Sequence, residues 1–161
     1  MTARQATTTR AVALAGALAL PYIAVKSYWA AGGRAGLADG FELAGEFERN
    51  GAPEALVWLE RHGVDFTAVL ALAGLAVAAA LVLPFGRRIP ARLLLVPAGA
   101  GALLAAYGTL TALVALAGNG GRGPVTGWVV PAGTGAFVGI GTALAAAAWS
   151  RLRRDDRPVT V

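Results

Sequence analysis

The sequence predicts an all-α integral membrane protein, a four-helix bundle with a short amphipathic helical loop on its extracytoplasmic side. Hydrophobic residues make up 57% of the 161 residues and charged residues 14%, and the mean hydropathy is +0.61. These values lie outside the range of ordinary soluble domains. Four apolar stretches each reach the roughly 20 residues that a helix needs to cross about 30 Å of hydrocarbon. The charged residues concentrate between and beside these stretches.

The four predicted spans form one domain, residues 1–161, and cover residues 11–31, 66–85, 93–118 and 128–150. The first span follows two arginines, as a signal peptide would, but it continues into Lys26 and Trp29 instead of a small-residue cleavage site. We therefore expect it to be retained. Prolines 21, 97 and 131 lie inside spans, where neighbouring helices and hydroxyl groups can satisfy the freed carbonyls. We expect kinks there and not breaks.

The distribution of charge predicts the orientation. Seven of the nine acidic residues lie in the long segment 32–65. Arginines collect instead in the N-terminal tail, in the loop between spans two and three, and in the tail 151–161: Arg4, Arg10, Arg87, Arg88, Arg92, Arg151, Arg153, Arg154 and Arg157. The positive-inside rule then places both termini in the cytoplasm and segment 32–65 outside. We expect a multi-pass protein of the bacterial cytoplasmic membrane, and the preference for Arg, Ala and Gly is typical of a high-GC, actinobacterial genome.

The outward segment 32–65 contains two helix patterns. FELAGEFERN places apolar residues on one helical face and acids on the other, and PEALVWLERHG begins with Pro53 and ends at Gly63. Proline is tolerated in a first helical turn, and glycine is the usual residue just past a helix end. We expect two short amphipathic helices at the outer mouth of the bundle.

The composition excludes several kinds of chemistry. The chain has no Cys and a single histidine, His62, which excludes disulfides, thiolate metal sites and bis-His haem ligation within one chain. No nucleophile elbow, P-loop or dinucleotide fingerprint is present. Arginines beside apolar spans do not form the basic soluble face that nucleic-acid binding needs. We therefore expect no catalytic residue, no metal site, no cofactor and no nucleic-acid partner.

Lys26 is the most informative single residue, because an ionisable group inside an apolar span is a hypothesis of function by default. About one helical turn separates it from Trp29 at the expected outer boundary. The sequence favours a snorkelling anchor or a structural pair with Asp65 or Glu60. The other interpretation is a ligand site formed by Lys26, Tyr22, Tyr28 and Trp29, which would retain an anionic molecule.

The fourth span carries a GxxxG pair, Gly135 and Gly139. Small residues one turn apart let another backbone approach closely, and this is a main source of helix association in lipid. The pair can pack against a second copy of the chain or against span three, at Gly99, Gly101 and Ala105. With four helices to assemble, the sequence favours packing within the chain.

The segment LPYIAVKSYWAAGGRAGL, residues 20–37, closes the first span and opens the outer segment. Its pattern is YWA, one residue, GG and then GL: Tyr28, Trp29, Ala30, Gly32, Gly33, Gly36 and Leu37. This pattern resembles the signature of a family of small, uncharacterised four-helix membrane proteins of actinobacteria. Many of those proteins have a His shortly before the Tyr-Trp pair, where this chain has Lys26. The resemblance implies a fold and a location but no activity.

Two hypotheses of function follow. The first is a non-enzymatic membrane protein with a structural or accessory role, whose partners are the lipid bilayer and either another membrane protein or a second copy of the chain. The second is a transporter-like protein that binds a small molecule or lipid at the outer mouth near Lys26. A cavity of roughly 300 Å³ or more between the helices would favour the second hypothesis.

Overall fold

The computed structural model describes residues 3–83, 90–118 and 127–155. Over these ranges the chain is all-α and has no β-strand. Its helices are α1 (Ala3–Ala17), α2 (Leu20–Ala30), α3 (Leu43–Arg49), α4 (Glu54–Arg61), α5 (Phe66–Val82), α6 (Leu95–Leu116) and α7 (Val129–Asp155), with a 3-10 turn at Ala91–Leu94 before α6. The predicted loop around Arg87 and Arg88, the connector around Arg122 and the tail beyond Asp155 lie outside the described residues.

Among the described residues, three helical segments are long and apolar enough to cross a membrane: Ala6–Ala30, Leu95–Leu116 and Val129–Arg153. A fourth is added if α4 and α5, which meet at an angle of 97°, form one bent span. Helix α5 alone has 17 residues and is therefore about 25 Å long. The fold is that of a multi-pass membrane protein.

Prolines 21, 97 and 131 have different effects on their helices. At the α1–α2 junction, Leu18 N–H donates to Ala15 O and Ala19 N–H to Gly16 O. These tighter bonds precede Pro21, which lacks an N–H and leaves one carbonyl free. Pro97 and Pro131 are each the third residue of their helix, where an N–H would have no intrahelical acceptor. These two prolines therefore do not give a reason for the kinks that the sequence predicted inside the helices.

Helix α7 is the centre of the fold and packs against α1, α2, α5 and α6. Its buried positions recur at helical spacing and are mostly small: Ala136, Ile140, Ala143, Leu144, Ala147 and Ala148. Large apolar side chains on the outer helices are instead exposed, as in Leu103 and Leu116 at 74% and 84%. Exposure of this kind suits a lipid environment, because hydrocarbon solvates leucine as well as a protein interior does.

Helix α6 meets α7 backbone to backbone. A Cβ atom built on Gly101 would lie 2.7 Å from the carbonyl oxygen of Gly141, and one on Gly141 would lie 2.4 Å from the amide nitrogen of Ala105. A side chain at either position would collide with the backbone opposite. This contact uses two of the span-three residues named from the sequence, while nothing lies within 4 Å of a Cβ on Gly99.

Gly135 and Gly139 also pack within the chain, but against α1 and its continuation. A Cβ on Gly139 would lie 2.3 Å from Ala15 O and 2.8 Å from Leu18 Cβ, and one on Gly135 would lie 3.4 Å from Leu18 O. The sequence favoured the third span, which is α6, over a second copy of the chain as their partner. The reason for the difference is angular: Gly141, which does meet α6, lies two residues or about 200° around the helix from Gly139.

Helices α3 and α4, which we call the cap, cover one end of the fold. Arg61 pairs with Glu48 at 2.8 Å and so joins the two cap helices. Leu43 packs on the buried cluster of Val25, Trp29 and Val129, which joins α2 to α7. The cap also contacts α5, where the Phe47 and Phe66 rings lie 5.1 Å apart.

Candidate functional site

A cluster of polar side chains lies buried under the cap. Lys26, Glu60 and Asp65 are 6%, 7% and 3% exposed, values that charged residues reach almost only when they are paired. With Tyr22 and Thr67 they form what we call the polar cluster. Its residues come from α2, α4 and the first turn of α5, so the cluster joins the cap to two apolar helices.

An ion pair is the centre of the polar cluster. Lys26 Nζ lies 2.6 Å from Asp65 Oδ2, and the two side chains are 8% and 0% exposed. The other carboxylate oxygen, Oδ1, accepts the N–H of Ala68 at 2.9 Å, so Asp65 is also the N-cap of α5. A helix N-terminus favours a negative charge. The Asp65 carboxylate is therefore stabilised both by the ammonium and by the helix.

A chain of hydroxyl groups completes the environment of Asp65. Tyr22 Oη donates to Thr67 Oγ1 at 2.9 Å, and Thr67 Oγ1 donates to Asp65 Oδ1 at 2.5 Å. The direction of these bonds follows from the carboxylate, which can only accept. Tyr22 is thereby fixed to α5, and its ring lies 6.3 Å from that of Phe137 on α7.

Aromatic rings enclose the Lys26 ammonium on its other sides. Nζ lies 5.4 Å from the Trp29 ring centroid and 5.8 Å from that of Phe47, within the range of cation–π attraction. Trp29 is held in place because its Nε1 donates to Ala35 O at 2.9 Å. The ammonium is thus buried between a carboxylate and two rings. This geometry favours the structural pair over the snorkelling anchor, because a snorkelling ammonium reaches water.

Glu60 is the one member of the polar cluster whose charge is not matched. Its Oε2 is buried and has no hydrogen-bond partner in the described part of the chain. The pKa of Glu60 is raised to about 7, first by burial and second by the Asp65 carboxylate, while Lys26 acts in the opposite direction. Glu60 belongs to α4 and so lies outside the apolar helices.

The balance of charge determines which ligands the cluster could attract. Lys26 and Asp65 neutralise each other, and Glu60 adds a second carboxylate. When Glu60 is ionised the site carries one net negative charge and attracts a cation, and when Glu60 is protonated the site is neutral. The hypothesis that Lys26 retains an anionic molecule has no free positive charge here to support it.

The structure brings together three of the four residues proposed from the sequence as a ligand site, Tyr22, Lys26 and Trp29. Tyr28 lies apart: it is 49% exposed, and its ring lies over Gly33, where a Cβ would come within 2.2 Å of it. Sequence analysis missed Thr67 and Phe47. The Asp-Phe-Thr order at residues 65–67 was a usable signal for Thr67, because an N-cap carboxylate is often surrounded by hydroxyl and amide donors.

Two grooves lie outside the polar cluster. One, of about 280 Å³, is lined by apolar residues of α1, α2 and α5: Val12, Ala13, Gly16, Ala17, Leu20, Leu75, Ala78 and Ala79. The other, of about 260 Å³, lies on the cap and is lined by Glu48, Ala52, Glu54, Val57, Trp58 and Arg61. Neither groove is lined by Lys26, so neither supplies the cavity that a ligand site at that residue requires.

Metal ligation has no support in the described ranges, where no group of three or more His, Asp or Glu residues could hold an ion. His62 is exposed at the end of α4. Its Nδ1 lies 2.7 Å from Trp58 O, and its ring stacks on that of Trp58 at 4.0 Å.

Comparison with known proteins found no matching family model, no matching curated protein and no matching solved structure. The fold and its exposed apolar surface define the class, a multi-pass helical membrane protein. Membership in the family of small actinobacterial membrane proteins stays a prediction from the signature at residues 20–37.

Proposed function

We propose that the chain is a non-enzymatic protein of the bacterial cytoplasmic membrane that crosses it four times and has a structural or accessory role. Both termini lie in the cytoplasm and the cap lies outside. Two observations support this topology. The cap is acidic, whereas the far end of α7 carries Arg151 and Arg153. The 97° angle between α4 and α5 suits an α4 that lies along the membrane surface above a fourth span, α5.

The observation that supports a structural role is the buried pair of Lys26 and Asp65 at 2.6 Å. Each partner uses its remaining polar or aromatic contacts inside the protein, with Thr67, Ala68, Trp29 and Phe47. A pair whose charges are matched inside the protein does not require a substrate to stabilise it. Its effect is to fix α2 to the start of α5, which holds the outer ends of the spans and the cap above them in one arrangement.

Native mass spectrometry of the full chain, purified in mild detergent, tests this proposal. We expect the chain to appear with lipids alone, as a multimer, or with another membrane protein. The matched variant Lys26→Met should show the same bound small molecules as the wild type. A discrete non-lipid molecule that binds the wild type at one per chain and is lost from Lys26→Met would contradict the proposal.

A small-molecule-binding, transporter-like function is the second candidate. The observation in its favour is the buried Glu60 Oε2, which has no hydrogen-bond partner among the described residues. A carboxylate oxygen accepts strong hydrogen bonds from an ammonium group. The ligand of this second function would therefore be a cationic amine, and its binding should be lost in Glu60→Gln.

A further inference from the structure

Glu60 differs from the other acids of the cap in its surroundings. Glu46 pairs with Arg49 at 2.6 Å and Glu48 pairs with Arg61 at 2.8 Å, both on the exposed side of the cap. Glu60 instead points to the buried side with one carboxylate oxygen unpartnered. A buried carboxylate without a partner is strongly unfavourable in its ionised form. A proton on the carboxyl group removes that cost.

The charged and titratable groups around Glu60 come from two neighbouring elements. Helix α2 contributes Lys26 and Tyr22, and the N-cap of α5 contributes Asp65. The charge of Lys26 is already compensated by Asp65 at 2.6 Å. An ionised Glu60 would therefore add one negative charge to a pair that is neutral without it. On α3, Glu46 and Glu48 are engaged by arginines, as described above.

A four-residue link, from His62 to Asp65, joins α4 to α5. Its first part belongs to the end of α4, because Gly63 N–H donates to Glu60 O and Val64 N–H donates to Leu59 O, with Gly63 at a φ of +79°. Rotation beyond Val64 would carry Glu60 away from Lys26 and Asp65 and into water. Burial of Glu60 therefore requires the cap to be docked on α2 and α5.

We propose that Glu60 is a proton-binding site that couples docking of the cap on α2 and α5 to the pH of the surrounding solution. A proton fits this site better than a metal ion. The described residues hold no group of three or more His, Asp or Glu side chains that could ligate an ion, whereas hard metal cations require about six or more oxygen ligands. The inference goes beyond the proposed structural role, and it holds whichever side of the membrane the cap faces.

The direction of the effect follows from linkage. The ordinary pKa of the Glu60 carboxyl is 4.5, and in the docked cap it is raised to about 7. The docked state therefore binds more protons than the undocked state between these values. Docking is fully favoured below pH 4.5 and weakens as the pH rises through 7. Over the intermediate range the docking equilibrium falls by up to about tenfold per pH unit.

Hydrogen exchange measured by mass spectrometry on the full chain in detergent tests the coupling. After correction for the intrinsic pH dependence of exchange, amide protection in Glu54–Arg61 should fall between pH 5 and pH 8 in the wild type. Glu60→Gln mimics the protonated carboxyl and should stay protected over the whole range. Glu54→Gln, at an exposed position of the same helix, should behave as the wild type does. The proposal would be overturned if amide protection in the wild type did not change with pH, or if amide protection in Glu60→Gln changed with pH as much as it does in the wild type.

Infrared titration of the same proteins measures the bound proton directly. In the wild type, the C=O stretching band of the protonated Glu60 carboxyl group should disappear as the pH rises, with a midpoint near pH 7. In Glu60→Gln this band should be absent. Added sodium or calcium chloride at constant ionic strength should leave the midpoint unchanged. A midpoint near 4.5, or a midpoint shifted by one of these cations, would show that Glu60 is not the proton site described.

Discussion

The clearest prediction concerns the buried pair of Lys26 and Asp65. We consider Lys26→Met, which keeps the aliphatic stem but removes the ammonium, and Asp65→Asn, which keeps an oxygen to accept the Ala68 N–H. Each single change leaves one charge without its partner in a site where the side chains are 8% and 0% exposed. Such a loss typically costs about 3–5 kcal/mol.

The remaining contacts determine where each variant falls in this range. Without Lys26, Asp65 still accepts hydrogen bonds from Thr67 and Ala68. Without the Asp65 charge, Lys26 keeps the rings of Trp29 and Phe47, whose attraction is worth about 0.5–2 kcal/mol. We therefore expect each single change to cost about 3 kcal/mol, at the low end of the range for a broken buried pair.

The double variant separates a pair from two independent residues. The double variant has no orphaned charge, so we expect its loss of unfolding free energy to be about 3 kcal/mol and not the sum of the two single losses. The resulting coupling energy is near the upper limit of about 3 kcal/mol for residues in contact. The assay is equilibrium unfolding of the purified chain in mixed micelles. The exposed pair of Glu46 and Arg49, three residues apart on one helix, is the matched control and should show no coupling beyond experimental error. Additive losses at Lys26 and Asp65, within error, would refute the pairing.

Other predictions address topology, packing and the hydroxyl chain. A single Cys at Glu46 should react with an impermeant thiol reagent on intact cells and one at Arg88 should not; labelling at Arg88 would reverse the orientation. Gly139→Leu should lower the free energy of unfolding by about 1–3 kcal/mol through overpacking, because a Cβ at this position would already lie 2.3 Å from Ala15 O. Gly99→Leu is the control and should have little effect, since nothing lies within 4 Å of a Cβ there. Equal melting temperatures for the two variants would contradict this packing. Tyr22→Phe should cost about 1 kcal/mol by removing its hydrogen bond to Thr67, and an unchanged unfolding midpoint would show that this bond contributes nothing.

The elements of the fold were predictable because their signals are local. The predicted span 128–150 lies within α7 except for its first residue, and the predicted span 93–118 contains the whole of α6. A run of apolar residues is sufficient for this inference, since a helix in lipid needs only length and hydrophobicity. The helix end at Gly63 was predictable for the same reason, because glycine past a helix end satisfies a local backbone requirement.

The polar cluster was only partly predictable, because its members are far apart in sequence. The sequence singled out Lys26 as an unusual charge and gave Asp65 and Glu60 as equal alternatives for its partner. Their separate roles depend on where α4 turns into α5: Asp65 occupies the N-cap and reaches Lys26, while Glu60 keeps an unpartnered oxygen. No local pattern contains that difference.

The sequence by itself determined the all-α, apolar character of this protein and the contrast between an acidic cap and basic ends. These properties are sums over neighbouring residues. Only the tertiary structure decided that Gly139 meets α1 while Gly141 meets α6, and that Lys26 is buried between Asp65 and two aromatic rings. The physical reason is that hydrophobicity selects which segments enter the bilayer, whereas lateral packing of helices in lipid depends on shape and on polar pairing between distant segments.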